Sequence, residues 1–536
     1  MIEEHIVYGP KPVIPISKDS LGIIFYNHFK KNPDDVALID AFTRQTVTNK
    51  ELLETTIKLA DSIQNYGLKQ NDVIGIFSEN NVMFFHPLLA SLYLGVIVTM
   101  FNPQYTVDEF LHVLNISQPK ILFCSTSSKA TIRKTIKQMK VAPKIVIIDA
   151  EIADSDCDSL SSFIANNSDN QFKLNQFLPK QINTDEQVAF VLYSSGTTGL
   201  PKGVMITHTN VNTAFILSTN VKSNLNEHIL GLMPFYHSYG FNIIFSKIFT
   251  NQKIVVFKKF DPEVYLDSIQ QYKIKYLHVV PSIAHFLATS PLVSKYDLSS
   301  VNKILCGGAP LSYNVQDLLR KKFNLHLIRQ AYGLTETTIS VICPQDSTTR
   351  FGSSGKVRPF MEVKIVDTNT SQTLAPMQKG ELYCRGPQVM KGYMNDPGST
   401  SNAIDKDGWF RTGDIAYYDD DGYFYIVDRL KELIKYKGFQ VPPAELESVL
   451  LKHSKIIDAA VIGIPDERVG ELPFAFVVKN GSLSEKEVQD FVAKELSPEK
   501  HLRGGVQFVE SIPRNLSGKI LKRILRENLN KPKSKL

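Results

Sequence analysis

The stretch "VLYSSGTTGLPKGVMITH", residues 191–208, decides the reading of this chain. It sets hydroxyls, glycines and one lysine directly behind "QVAFVLY" (187–193), an apolar run with the pattern of a buried strand. Within it, Ser194, Ser195, Thr197 and Thr198 supply hydroxyls, while Gly196, Gly199 and Gly203 let backbone N–H groups come close to an anion. Lys202 adds a positive charge, and together these are the parts a polyphosphate requires. The spacing departs from the GxxxxGK[ST] nucleotide loop, because Leu200 and Pro201 intervene and no hydroxyl follows the lysine.

The 536 residues exceed what one hydrophobic core usually supports, so two or more domains are expected. With 43% hydrophobic and 21% charged residues the composition is that of an ordinary globular protein. A net charge of +6 without a basic, aromatic-rich block argues against a nucleic-acid partner. The five cysteines, Cys124, Cys157, Cys306, Cys343 and Cys384, are scattered and odd in number, which points to a reducing compartment without structural zinc. The N-terminal "MIEEHIVYGPKPVIP" has neither a basic n-region nor an apolar h-region, so no secretory signal is expected and the Asn-x-Ser matches at Asn115 and Asn480 read as chance. The longest apolar run, "PLLASLYLGVIVTMF" (87–101), is shorter than the ~20 residues a membrane span needs and reads as a buried helix leading into a strand. The chain closes with Ser534, Lys535 and Leu536 on the basic tail "NKPKSKL", an address for the peroxisomal import receptor that places the protein in the peroxisome.

Runs such as "DVIGIFSE", "KILFCST", "KIVIIDA", "KIVVFKK" and "KYLHVVPS" each precede a segment of helical spacing, the pattern of an α/β fold with buried, mostly parallel sheets. Residues 151–187 are rich in Asp, Ser, Asn and Gln and read as a surface connection anchored by Leu160, Phe163, Ile164 and Phe172. From about Lys431 the pattern changes to a module of about 100 residues: helix "PPAELESVLLKH", strands "DAAVIGIPD" and "ELPFAFVVK", helix "SEKEVQDFVAKEL" capped by Ser484 and Glu487, strand "VQFVESI" and helix "GKILKRILRENL". That last helix would place Ile520, Leu521, Ile524 and Leu525 on one face and leave Lys522, Arg523 and Arg526 in solvent. The expected architecture is a large N-terminal domain of layered sheets and helices (1–429), a hinge (430–432) and a small, mobile α+β C-terminal domain (433–536).

The signature loop, together with "PFYHSYGF" (234–241), "GGAPLS" (307–312), "QAYGLTET" (330–337), "GWFRTGD…DRLKELIKYKGFQVPPAELE" (408–447) and "NLSGKI" (515–520), resembles the adenylate-forming enzymes across essentially the whole chain. That superfamily includes acyl-CoA synthetases, 4-coumarate-CoA ligases and beetle luciferases. The resemblance implies ATP, Mg²⁺ and CoA as co-substrates and cofactors, with a carboxylate attacking the α-phosphorus of ATP. It implies that Ser194 to Gly199 and Lys202 cradle the β- and γ-phosphates, that Gly308, Ala309 and Pro310 line the nucleotide wall, that Tyr332 stacks on the adenine, and that Gly333 belongs to the same cofactor-binding set. Thr335 would contact the α-phosphate, Glu336 hold Mg²⁺, Asp414 accept the ribose hydroxyls, and Arg429 support the ribose and phosphate. Lys519 corresponds to the catalytic lysine of adenylation, whereas Lys435 and Gly438 would serve thioester formation after rotation about Lys431. His237 matches a histidine near the incoming carboxylate, and Tyr239, Ile243, Cys306 and Ile339 fall at acyl-pocket positions, with His278 a further candidate.

Within the superfamily, "IVYGPKPVIPISKDSLG" and the Ser-Lys-Leu end look closest to insect luciferases and their non-luminous relatives. Light-emitting members carry an arginine shortly after the position of His208, which "HTNVNTAFILSTNVKSN" lacks. Ile339 stands in place of their serine, and "FYHSYGF" replaces their His-His-Gly-Phe-Gly run. The expectation is a fatty acyl-CoA synthetase for medium- to long-chain acids, with a luciferase or an aromatic-acid CoA ligase as the alternatives.

Overall fold

The apolar runs become strands because each places β-branched and aromatic side chains where both sheet faces are covered. A computed structural model describes residues 5–12, 14–153, 156–169, 171–195, 200–219, 227–309, 311, 313–326, 328–344, 350–437, 439–515 and 518–529. The largest sheet has eight strands in the spatial order Gly392–Tyr393, Pro201–Thr207, Val188–Ser195, Ile97–Phe101, Val73–Phe77, Ile121–Cys124, Lys144–Ile147 and Asp158–Ser159. The last six run parallel. The run at 87–101 is the expected helix and strand, Phe85–Leu94 entering Ile97–Phe101, all buried.

Two smaller parallel arrays complete the α/β part. His228–Gly231, Lys253–Val256 and Val36–Asp40 form one, and Tyr276–Val279, Lys303–Cys306 and Arg329–Gln330 the other. The carboxyl ends of the latter run straight into Val280, Gly307 and Tyr332, and ligand crevices in α/β sheets lie beyond such ends. An antiparallel sheet of Val7–Tyr8, Glu362–Val366, Gly380–Arg385, Phe410–Tyr418 and Phe424–Arg429 carries the chain to the short turn Leu430–Glu432.

Beyond that turn the small C-terminal domain has a core of its own, in which Ile434, Val441, Leu446, Leu450, Val461, Val477, Val488 and Val506 pack together. Its sheet pairs Ile456–Asp466 with Gly470–Lys479 over ten residues and adds Gly505–Phe508 in parallel. The helix Glu485–Glu495 has the capping box expected from Ser484 and Glu487.

Two expectations are corrected. The polar segment after residue 150 is more than a connection: Asp158–Ser159 extends the large sheet and the helix Leu160–Asn167 packs on it through buried Leu160 and Phe163. The final helix begins only at Lys522, so Ile520 and Leu521 precede it, and the Lys522 side chain is 10% exposed and ion-paired rather than solvated. Among the described residues no helix is long and apolar enough to cross a membrane.

Phe77 and Phe110 stack with ring centroids 4.0 Å apart, both fully buried between the large sheet and the helix Val107–Ser117. Phe110→Ala is expected to destabilise the large domain by about 3–5 kcal/mol, read as a lower denaturant midpoint; an unchanged midpoint would mean that this layer does not carry the fold.

Candidate active site

The described part of the signature stretch contributes to two neighbouring strands. Val188–Ser195 and Pro201–Thr207 pair antiparallel, with Ser194 opposite Lys202 and Ser195 opposite Pro201. Gly196, Thr197, Thr198 and Gly199 lie outside the described residues, as do Pro310, Gly438 and the terminal Ser534, Lys535 and Leu536. The Ser194 hydroxyl donates to Glu336 Oε1 at 2.7 Å, and the Tyr393 hydroxyl donates to the same oxygen at 3.0 Å. Two neutral donors on one oxygen hold a buried carboxylate in a fixed direction. Lys202 donates to the Ser399 hydroxyl at 2.7 Å and lies 5.0 Å over the Tyr393 ring, so Tyr393 links the lysine to the glutamate.

A second carboxylate, Asp414, lies 3% exposed in the antiparallel sheet. Tyr332 donates its hydroxyl to Asp414 Oδ2 at 2.6 Å, and Arg429, its cross-strand neighbour, reaches Oδ1 with Nε at 3.1 Å. Burial raises the Asp414 pKa, and the Arg429 charge and the Tyr332 hydrogen bond oppose that shift. Both of its oxygens thus accept from the protein. Gly333 is required where it stands, since a Cβ there would lie 2.5 Å from the Ile339 carbonyl oxygen. Exposed Gly308 and half-buried Ala309 follow the strand Lys303–Cys306.

The small domain brings Lys519 to these groups. Its segment is shaped by Lys519 N–H donating to Asn515 Oδ1 at 2.8 Å and by Arg514 donating to the Gly518 carbonyl at 3.0 Å. Gly518, at φ +80°, abuts the large domain: a Cβ there would be 3.2 Å from Val280 Cβ. Burial, followed by the charge of Arg429, lowers the Lys519 pKa to about 8, while Glu432 and Asp414 act in the opposite sense. His237 feels the Lys519 charge as well, and burial together with that charge brings its pKa to about 4. It is therefore neutral at physiological pH, and because Nδ1 accepts the Tyr239 N–H at 3.3 Å the ring proton is on Nε2.

The docking has its own contacts. Lys522 pairs with Glu432 of the turn at 3.0 Å, Asp428 accepts the Ala444 N–H at 2.9 Å, and Asn314 donates to the Leu451 carbonyl, while Lys522 also reaches Glu447 of its own domain at 3.5 Å. Lys435, by contrast, is exposed on the strand Ile434–Tyr436 opposite Gln440.

Around the acyl-pocket positions the chemistry is apolar. Ile243 and Cys306 are buried, Ile339 is half-buried, and burial pushes the Cys306 thiol pKa up. Tyr239 donates its hydroxyl to the carbonyls of Leu305 at 3.2 Å and Val279 at 3.4 Å. The hydroxyls of Thr335 and Ser238 lie 3.4 Å apart. His278 packs its ring 4.4 Å from that of Tyr276 in the same strand.

The chain matches AMP-binding enzymes over residues 25–394 and the AMP-binding enzyme C-terminal domain over residues 445–519. It belongs to the AMP-binding enzyme family. This AMP-binding enzyme, an adenylate-forming enzyme, is 43% identical to luciferin 4-monooxygenase of Photuris pensylvanica over all of both chains. It is 38% identical to peroxisomal OPC-8:0-CoA ligase 1 of Arabidopsis thaliana, covering 97% of this chain and 95% of that one. Among solved structures, ATP-bound MatB from Rhodopseudomonas palustris superposes with a TM-score of 0.85 at 27% identity, covering 95% of this chain and 99% of that one. The apo form of MatB, with the same coverage and 26% identity, gives 0.75. The AMP-binding enzyme described here thus resembles the ATP-bound conformer of MatB more than the apo one.

Sequence reasoning missed Tyr393, Ser399, Glu432 and Lys522. Each acts through a partner distant in the chain; Tyr393, Ser399 and Lys522 stand outside the recognised motifs, and Glu432 stands inside one without its partner being announced.

The free enzyme's affinity for ATP is expected to weaken as pH rises through about 8, because Lys519 loses the charge that attracts phosphate. Calorimetric titration from pH 7 to 9 measures this, with Lys519→Met expected to be flat over that range; parallel profiles for the two proteins would contradict it.

Proposed function

We propose that the chain is an ATP-dependent fatty acyl-CoA synthetase. It would convert a medium- to long-chain fatty acid, ATP and CoA into acyl-CoA, AMP and diphosphate through an acyl-adenylate. One observation carries the choice of substrate. Of the four acyl-pocket side chains, the only hydroxyl belongs to Tyr239 and is bonded to two main-chain carbonyls, which leaves aliphatic surface and a protonated thiol for the ligand. An alkyl chain needs nothing more.

Adenylation brings a carboxylate against a polyphosphate, so the site must offset like charges and stabilise the leaving diphosphate. Lys519, whose charge is felt by His237 and by the Asp414–Arg429 pair, would bridge the two anions. The signature stretch and Lys202 would hold the β- and γ-phosphates, and Tyr332 the adenine, with Gly333 in the same set and Gly308 and Ala309 as the wall. Thr335 would meet the α-phosphate. Asp414, already fixed by Tyr332 and Arg429, retains lone pairs for the ribose.

Glu336 fits Mg²⁺, since a single oriented carboxylate supplemented by phosphate oxygens and water is how this hard ion is commonly held. The ion would neutralise charge on the phosphates. Lys435 and Gly438 would act in thioester formation once the small domain (433–536) turns about residues 430–432, exchanging one face for another. The Ser534, Lys535 and Leu536 end supports peroxisomal import, in keeping with the peroxisomal Arabidopsis ligase.

The second reading, a luciferin 4-monooxygenase, is favoured by the 43% identity over the whole length of the Photuris enzyme. Purified protein with Mg-ATP, CoA and a fatty acid series is expected to form thioester without appreciable luciferin-dependent light. Strong light with little thioester would establish the second reading instead. For Lys519→Ala the expected outcome is a loss of acyl-adenylate formation of at least about a hundredfold; for Lys435→Ala adenylation persists while thioester formation falls. Equal loss of both steps in Lys435→Ala would contradict the assignment of two faces.

A further inference from the structure

Between Glu336 and the acyl-pocket residue Ile339 the backbone makes a turn that an L-amino acid rarely adopts. Thr338 has φ +61° and ψ −47°, and the Ile339 N–H donates back to the Thr337 carbonyl, closing a γ-turn on a β-branched residue. Such a turn is strained and persists only where its surroundings hold it.

Four buried side chains do so. Thr337 bonds its hydroxyl to the carbonyls of Leu334 at 3.0 Å and Ile339 at 2.8 Å, strapping the two ends. The Thr338 hydroxyl donates to the Gln388 carbonyl at 2.8 Å, and the Gln388 side chain donates to the Ser340 carbonyl at 3.3 Å. From the opposite side, Asn242 gives one N–H to the Thr338 carbonyl and the other to Ser238 O at 2.7 Å.

Those two carbonyls fix the orientation of the Asn242 amide, because only its NH₂ end can serve them. The price of that geometry is visible: Asn242 Oδ1 and Gln388 Oε1 are buried and accept no hydrogen bond from the protein. Asn242 lies in the helix Ser238–Phe249, which starts beside His237 and also carries Tyr239 and Ile243. The segment holding Gln388 grips the other end of the turn, where the Met390 N–H donates to Glu336 O at 2.8 Å.

We propose that Asn242 is a positioning residue for the carboxylic acid substrate. Its amide ties the acyl-pocket helix to the strained turn and so sets Ile339 relative to Tyr239 and Ile243, leaving the phosphate side to Glu336 and its own partners. The proposal rests on the reading of these three residues as acyl-pocket lining, but not on the identity of the acid.

The test is Asn242→Leu, which keeps the approximate shape and removes both donors, compared with the parent by ATP–pyrophosphate exchange. The acid is whichever the parent adenylates best, fatty acid or luciferin. The expected result is a KM for the acid raised about tenfold, the worth of one hydrogen bond, with a shifted chain-length or analogue preference and a KM for ATP within about twofold of the parent. A purely structural role would lower the active fraction without separating the two KM values. Thr338→Gly, which accepts the positive φ without strain and loses the hydroxyl, is a second variant expected to show the same split should Asn242→Leu fail to fold. Parental KM and selectivity for the acid, or equal rises in both KM values, would overturn the proposal. A parent that adenylates luciferin and no fatty acid would overturn the synthetase reading and leave this test intact.

Discussion

A carboxylate 3% exposed has to be paired, and the pairing of Asp414 arranges much of what surrounds it. Its partners are the Tyr332 hydroxyl, from the end of a parallel array, and the Arg429 guanidinium, from the last strand before the turn Leu430–Glu432. The same contact therefore joins the Tyr332 segment of the large domain to the point from which the small domain departs. Glu432, at the end of that turn, pairs with Lys522, three residues beyond Lys519. One buried acid thus begins a chain of contacts that ends with a lysine whose charge is felt by His237.

Lys519 stands among charges of both signs: burial and then the charge of Arg429 lower its pKa, Lys431 acts in the same sense, and Glu432 and Asp414 oppose them. A desolvated cation among like charges gains more from an incoming polyanion than an exposed one does. On the proposed reading, binding energy for the phosphates and the docking of the small domain would be properties of one electrostatic cluster. His237, neutral and with its proton on Nε2, adds a donor to that cluster without adding charge.

Much of this was legible in the sequence, for physical reasons that differ by element. The buried parallel strands could be read because continuous apolar runs bounded by polar residues have few other uses, and the capping box at Ser484 because two side chains three residues apart satisfy each other locally. The motifs located Lys202, Glu336, Tyr332, Asp414, Arg429 and Lys519. Their partners were another matter: Tyr393 reaches Glu336 across 57 residues and Ser399 reaches Lys202 across 197, contacts that topology alone creates. Lys522 was misread because helical periodicity was extended back through Ile520, whereas the Arg514 and Asn515 hydrogen bonds to Gly518 and Lys519 hold that segment outside the helix. The turn at Thr338 gives no local signal, since nothing in "TETTIS" calls for a positive φ.

The central claim is that docking of the small domain through the Gly518 segment creates the adenylation site and that the thioester step needs this contact broken. An ideal Cβ built on Gly518 lies 3.2 Å from Val280 Cβ, just short of the roughly 3.5 Å lower end of disulfide geometry, so cysteines replacing Val280 and Gly518 are within bridging reach after a small backbone shift that also relieves the positive φ. The measurement is the rate of each half-reaction in this double variant, oxidised and then reduced. The account predicts that the oxidised protein forms acyl-adenylate and pyrophosphate but transfers no acyl group to CoA until reductant is added. Thioester formation at an undiminished rate with the disulfide intact would contradict it.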